Sequence, residues 1–448
     1  MHSLKRLSAL LMLECRLMVR TRAFWGTLIA QCFLTGSGLI QAMRLYGGAS
    51  ASTVGYPEMA RGLSPLDGIL VPLFGSLYLA TTLLFPFLAI RAAGEERRNG
   101  GDKLLAQLPL SRGLRISAKV LVILAAWCCL VIPCALGVVA WVALGGHVQI
   151  PEFANLTLGH ALYGFTVAGA AFLAASLART GAAGAILTLS FTLGLWALEY
   201  YAGSGRDWLR ALAQHAPTAD LHRFELGLFV LASCVRLGAL GLAGFGLGAI
   251  WMDDGSALRL KWARSTVILL VLGAVLAESP WVRPAWDLSE DRRNSFSPAE
   301  EAALRRMWQP LEIAIHLSPE DSRYREFEAV ILDKLRRILP RLSVATVVPH
   351  RVHEGEDDTY GLIFYRYAGK TAESRSTGPE EVLPLLFQLA GFPIPSDETP
   401  SYPGFPLVAD IGSLSIFFYG VLPLLFAGLT WIARRPGRSH IQFREVQS

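Results

Sequence analysis

The sequence predicts an all-α polytopic membrane protein of about eight transmembrane helices, with a small extracytoplasmic α/β domain inserted before the last helix. Three observations carry that expectation. Apolar residues fill 52% of the 448 positions and charged residues only 17%, against about 25% charged in an ordinary soluble protein. The apolar residues gather into long blocks almost free of charge. One stretch, 281–410, breaks the pattern with charge, proline and short apolar runs.

The net charge of +5 does not suggest a nucleic-acid partner, because Lys and Arg flank the apolar blocks instead of forming one basic stripe. Of the cysteines, Cys15, Cys32, Cys128, Cys129, Cys134 and Cys234, none lies in the polar stretch. They form no secreted disulfide framework, and none has the Cys/His spacing of a zinc site. Residues 1–22 mix Leu and Met with Lys5, Arg6, Arg16, Arg20 and Arg22, without a small-residue cleavage site. They read as an amphipathic segment on the inner membrane surface, leading into the first span.

A bilayer core of about 30 Å needs roughly 20 apolar residues as helix, because every backbone amide there must find its partner within the chain. Eight blocks qualify: 24–43, 68–91, 117–144, 158–178, 181–201, 226–252, 263–280 and 411–433. Only Arg179 and Thr180 join the fourth to the fifth, so those two form a tight helical hairpin. The seventh is short, with Trp281 and Trp286 as interface anchors.

The Lys/Arg distribution orients the bundle. Basic clusters precede the first span and fill the loop after the second (Arg91, Arg97, Arg98, Lys103, Arg112, Arg115, Lys119). They recur at Arg179, at Arg259, Lys261 and Arg264, and at Arg434, Arg435 and Arg438. The loop 145–157 has none, whereas 202–225 dissents with Arg206, Arg210 and Arg223. Eight spans then put both termini, including the tail 434–448, in the cytoplasm.

Arg236 falls inside the sixth block, where an unpaired charge costs at least about 2.5 kcal/mol. The cheaper reading splits the block, leaving Leu226 to Cys234 outside or re-entrant and starting the span near Arg236; the rival is a substrate-contacting arginine. Gly241, Gly244, Gly246 and Gly248, with Gly164 and Ala168, allow close helix approach and suggest tight bundle packing or a dimer face.

The loop after the second span is the most informative segment. Gly100-Gly101 interrupts the helix, Asp102 is a fair N-cap, Leu104, Leu105 and Leu108 share one helical face, and Pro109 stops it. The product is a short amphipathic helix on the cytoplasmic surface; a solvated loop resting on lipid is the bland alternative. Glu95-Glu96-Arg97-Arg98-x-Gly100, then Leu104-Leu105-x-x-Leu108-Pro109-x-Ser111 and Lys119, resembles the signature of ABC-2 type transporter permeases. Residues 1–252, with six spans, are similar to the permease associated with gliding motility and its relatives. Ala216-Pro217-Thr218 through Phe224-x-x-Gly227 resembles the pattern before that family's last span. The chain departs from the family at Gly101-Asp102-Lys103, where Thr-Leu-Glu is usual, and keeps only Arg236 of an acidic-basic motif near the last span.

The resemblance implies that 95–111 is a coupling helix docking on an ABC ATPase subunit, through Glu95, Glu96, Arg97, Arg98, Gly100, Leu104, Leu105, Leu108, Pro109 and Ser111. It implies a permease homodimer with two ATPase copies in a bacterial cytoplasmic (inner) membrane. The chain itself would then hold no cofactor, with ATP and Mg on the partner. No phosphate-cradling Gly-x-x-x-x-Gly-Lys-Ser/Thr occurs: Gly369-Lys370-Thr371 echoes it, but position 364 is Phe.

In the polar stretch, Leu311–Leu317 alternates as a strand, Arg323–Leu339 is helical, and Val344–Val348 is a second strand. Tyr360–Ala368 and Thr371–Ser374 form a hairpin turning at Gly369-Lys370. Asp287-Leu288-Ser289 through Ser295-Phe296-Ser297-Pro298, then Trp308-Gln309-Pro310-Leu311, resembles the auxiliary, substrate-binding-like protein of gliding-motility systems, here truncated and fused to the permease. His350 and His353, followed by Glu354, Glu356, Asp357 and Asp358, could ligate metal but read as a solvated turn.

Three functions follow in order: a permease coupling ATP hydrolysis on a separate chain to substrate export; a non-transporting ABC membrane module passing force or signal to envelope partners; and a membrane-embedded transferase, for which the spans offer little beyond His160 and Glu199.

Overall fold

The computed structural model describes residues 2–434 except 54, 99–106, 108–109, 203–212, 214, 254, 280–281, 283, 319–320, 348–358 and 396–401. Eight helices among the described residues are long and apolar enough to cross a membrane: Arg22–Ser52, Leu66–Gly94, Arg112–Ala143, Ile150–Leu177, Gly181–Leu198, Leu231–Trp251, Leu258–Glu278 and Gly412–Arg434. They are numbered below as spans one to eight. The protein is a polytopic helical membrane protein.

Two spans are longer than expected: the first runs to Ser52, nine residues past the expected 43, and the fourth starts early. It begins at Ile150, eight residues before the predicted 158, because Pro151 sits in its first turn and the Gln149 side chain accepts from the Glu152 amide at 3.1 Å. The polar residues that disguised this turn are buried and bonded: the Glu152 carboxylate accepts the Glu290 amide, and Asn155 Nδ2 donates to the Phe224 carbonyl at 3.1 Å. The second span is interrupted at Leu84, between Val71–Leu83 and Phe85–Arg98. Pro86 accounts for this, having no amide to donate and a ring that crowds the preceding turn.

The N-terminal segment is a separate helix, His2–Val19, with Met12, Leu13 and Leu17 exposed along it. It packs on span three through a buried Glu14–Lys119 pair at 3.2 Å. Thr21 then caps span one by accepting the Phe24 amide at 3.3 Å. At 31 and 32 residues, spans one and three reach about 46–48 Å, well beyond a hydrocarbon core.

Spans four and six make the closest contact. A Cβ at Gly244 would overlap the backbone of Gly169, one at Gly169 would overlap Gly241, and one at Gly248 would meet the Phe172 ring. The glycine stripe is thus used within the chain. Gly246 faces Ile268 of span seven and Gly164 faces Trp127 of span three, so these glycines leave no dimer face, contrary to one expectation drawn from them. Span eight lies on span one, with Phe418 over Gly36, Phe33 stacked on Tyr419 at 6.0 Å and Trp25 beside Phe426 at 6.1 Å.

Between spans seven and eight lies a four-stranded sheet. Two short strands precede it: β1 (Leu228–Val230), just before span six, pairs antiparallel with β2 (Ala285–Asp287), after span seven. The sheet comprises β3 (Leu311–Ile315), β4 (Leu342–Thr346), β5 (Ile363–Tyr367) and β6 (Lys370–Ser374), in the order β4-β3-β5-β6. β3 and β4 are parallel, joined by the helical stretch Ser322–Ile338, and the remaining pairs are antiparallel. Ile313, Ile315 and Tyr365 of the sheet close on Phe327, Ile331 and Leu335 of that helix.

The helix Pro379–Ala390, absent from the sequence reading, completes this core with Val382, Leu383, Leu386 and Phe387. The helix Pro298–Leu304 is also new, started by a Ser297/Glu300 capping box. The hairpin turns one residue earlier than expected, on Ala368 and Gly369 at φ 53° and 79°. Two left-handed central residues suit a tight hairpin, and Lys370 already pairs with Tyr367.

Candidate functional site

The predicted coupling segment begins in the helix Phe85–Arg98, whose last turn carries Glu95, Glu96, Arg97 and Arg98. Gly100, Leu104, Leu105, Leu108 and Pro109 lie outside the described residues. Ser111 restarts the chain: its side chain accepts the Leu114 amide at 3.4 Å and caps span three. The same end of the bundle carries two ionic ties. Arg112 pairs with Asp253, in the loop between spans six and seven. Hydrogen bonds from the Ser256 hydroxyl at 2.5 Å and the Gly255 amide at 3.0 Å, with Arg112 beside them, hold the Asp253 carboxyl below its usual range. Lys119, part of the quoted signature, is in the buried pair with Glu14.

At the opposite end an ionic cluster is buried around Asp220. Pro217 opens the helix Pro217–Glu225 and Asp220 stands in its first turn, where a helix start favours an acid. Asp220 is fully buried and accepts from Arg236 Nε at 2.8 Å, Arg223 Nη1 at 2.6 Å and Ser233 Oγ at 2.7 Å, with a second bond from Arg236. Arg236 also donates to Ser279 Oγ at the end of span seven, at 3.3 Å.

Span six therefore starts at Leu231 and contains Arg236: the expected split holds for 226–230 and fails for Leu231 to Cys234. The charge is tolerated because a counter-charge comes from the preceding helix, a role the sequence reading did not assign to Asp220. A signal existed: an acid in the first turn, three residues before Arg223, on a short proline-started helix next to a span holding a lone arginine.

Beside this cluster Glu225 accepts from His222 Nδ1 at 2.7 Å, and His160 Nε2 lies 3.4 Å away. Burial opposes the charge on Glu225, but the His222 hydrogen bond and the neighbouring His160 outweigh it and bring its pKa down to about 2. Where the sheet region meets the bundle, His147 contacts Glu290 at 3.0 Å and stacks on Phe405, and Arg293 pairs with Asp67. Among the described residues no three His, Cys, Asp or Glu side chains are placed to hold a metal. The cluster from His350 to Asp358 lies outside them. Gly369 to Thr371 forms the β5–β6 turn and the start of β6.

Helices are thus pinned to one another by a buried ion pair at each end, Glu14–Lys119 at one and Asp220–Arg236 at the other. Comparison with models of known families, with curated proteins and with solved structures finds no match for this chain.

Proposed function

We propose that this chain is the membrane-spanning permease subunit of an ABC transporter of ABC-2 type, coupling ATP hydrolysis on a separate ATPase subunit to substrate export. Two copies would form the pathway in a bacterial cytoplasmic membrane, with both termini cytoplasmic and the sheet region extracytoplasmic. One observation carries the reading: the second span continues as helix to Arg98, ends in the acidic-basic turn Glu95–Arg98, and the chain restarts under a Ser111 cap. That connection lies at the end of the bundle richest in Lys and Arg, the cytoplasmic end by the charge rule. An ATPase pressing on it would act on spans two and three directly, and on span six through the Arg112–Asp253 tie.

The test is co-purification and ATP hydrolysis with the co-encoded ATPase. Leu105→Asp places a charge on the predicted docking face and should abolish both binding and stimulated hydrolysis. Arg366→Gln, on an exposed strand position, should change neither. Unaltered coupling in Leu105→Asp would overturn the assignment.

A second reading, a non-transporting ABC module passing force or signal to envelope partners, draws on the β1–β2 pairing and the Asp67–Arg293 pair, which tie the sheet region to the spans. ATP hydrolysis without substrate movement in sealed vesicles would favour it.

A further inference from the structure

A cavity of about 470 Å³ lies between β2 and the helices of the sheet region. Transport as proposed above makes no use of it. Four cations line it, Arg292, Arg305, Lys334 and Arg337, against two carboxylates, Asp287 and Glu301.

The carboxylates are already engaged. Asp287 accepts from the Ser289 amide at 3.1 Å, the Ser289 hydroxyl at 2.5 Å and the Asn294 amide at 3.0 Å. Glu301 faces Arg305 at 3.4 Å. The other three cations have no carboxylate at ion-pairing distance among the described residues.

Lys334 is only 9% exposed. Its Nζ donates to the Ser295 carbonyl at 3.2 Å and lies over the Phe296 ring, 5.3 Å from its centre. Arg337 donates to the Asn294 carbonyl. Asp287 and the more distant carboxylates around it act on both charges only through space, and an ammonium or guanidinium has further hydrogens to give. Burial accordingly pulls the Lys334 pKa down. Arg292 stands at the rim on a backbone of φ 51°, a left-handed conformation that non-glycine residues seldom adopt.

The position narrows the ligand. β1 ends at Val230, where span six begins at Leu231, and β2 starts at Ala285, shortly after span seven ends at Glu278. The floor of the cavity therefore sits at the membrane surface, and Trp286, 53% exposed and 5.6 Å from the Phe229 ring, marks the interfacial level. A ligand reaching this cavity meets one buried cation, Lys334, and the exposed Arg337, both with open donors, beside two aromatic rings.

We infer that this cavity binds a phosphate-bearing headgroup presented by an anionic lipid, with Lys334 and Arg337 holding the phosphate and Arg292 closing the rim. A free phosphate ester shares that chemistry, and the experiment separates the two sources. The inference needs the sheet region to lie against a bilayer but does not depend on ATP coupling.

The full chain is placed in nanodiscs of phosphatidylglycerol or phosphatidylcholine, and the lipid it retains is read by native mass spectrometry. The wild type should prefer the anionic lipid by at least about tenfold, as expected for charge-assisted hydrogen bonds. Lys334→Gln should remove about tenfold of that preference. Should that variant fold poorly, Arg292→Asn keeps a residue at ease in the left-handed conformation and should lower the preference about threefold, the scale of an exposed charge. Arg366→Gln should leave it unchanged.

Displacement of the lipid by millimolar inorganic phosphate would support the cavity's chemistry and assign its ligand to solution. Equal retention of both lipids by the wild type, or an anionic preference untouched in both variants, would overturn the site. Neither readout uses ATP or an ATPase, so such a failure would leave the transport reading standing.

Discussion

Spans six and seven are each 21 residues long with mean hydropathy of 1.5 and 1.7, yet 44% of the apolar window of one and only 6% of the other is buried. Length and hydropathy put both helices in the membrane and say nothing about which is the inner one. The difference comes from what interrupts the apolar pattern. Span six carries Gly241, Gly244 and Gly248 on the face that meets span four, and Arg236, which is held by Asp220. Span seven carries Leu269, Leu270 and Val271 facing outwards, and Ser265 is its one buried residue among those described. Lipid tails are as apolar as Leu, so close backbone approach and buried polar pairs distinguish a packed span from a peripheral one. Span seven is then the helix with the most surface free for a second copy or for lipid.

The comparison can be broken at several points, and the largest effect should come from its ion pair. Asp220→Ala leaves Arg236 as an uncompensated buried charge and should cost about 3–5 kcal/mol, seen as a lowered melting temperature in detergent. Asp220→Ala combined with Arg236→Met should recover much of that loss. A double variant no better than the single would mean that the pair is not the source of the stability.

Gly244→Leu comes next. It drives a side chain into the backbone of Gly169 and should cost about 3 kcal/mol, the upper range for overpacking. In span seven, a Cβ at Gly273 has no atom within 4 Å, and Gly273→Leu should stay within about 0.5 kcal/mol of the wild type. Equal losses at the two glycines would erase the distinction between the spans.

The smallest effect is a pH dependence at the helix that feeds span six. The Glu225 pKa is lowered in the fold from 4.5 to about 2, because the His222 hydrogen bond and the nearby His160 outweigh burial. A depressed carboxylate contributes stability that is present above the unfolded value and lost as pH falls through the folded one. The melting temperature should therefore drop between pH 4.5 and 2, and Glu225→Gln should flatten that part of the curve. An unchanged slope would remove Glu225 from the account.

Much of this architecture could be read from the chain. Eight apolar blocks, the two-residue hairpin at Arg179-Thr180, and the strands around Ile313, Val344 and Tyr365 were visible as periodicity. The start of span four was not, because Glu152 and Asn155 read as a loop until their partners at Glu290 and Phe224 are known. The helix Pro379–Ala390 hid behind Pro379 and Pro384, although one proline falls in its first turn and the other is tolerated within it. Asp220 escaped for a related reason: its chemistry depends on Arg236, sixteen residues on, and pairing across elements leaves no local period in a sequence. The coupling residues Glu95 to Ser111 were legible only as a resemblance, and five of them lie outside the described residues.

The central claim is that the connection between spans two and three faces an intracellular motor while the sheet region faces away from it. Single cysteines at Gln107 and Thr371, on a background freed of the native cysteines, allow both to be read with a membrane-impermeant thiol reagent in intact cells. The account predicts labelling at 371 in intact cells and at 107 only after permeabilisation. Labelling at 107 in intact cells would put the proposed docking face out of an ATPase's reach and contradict the permease assignment.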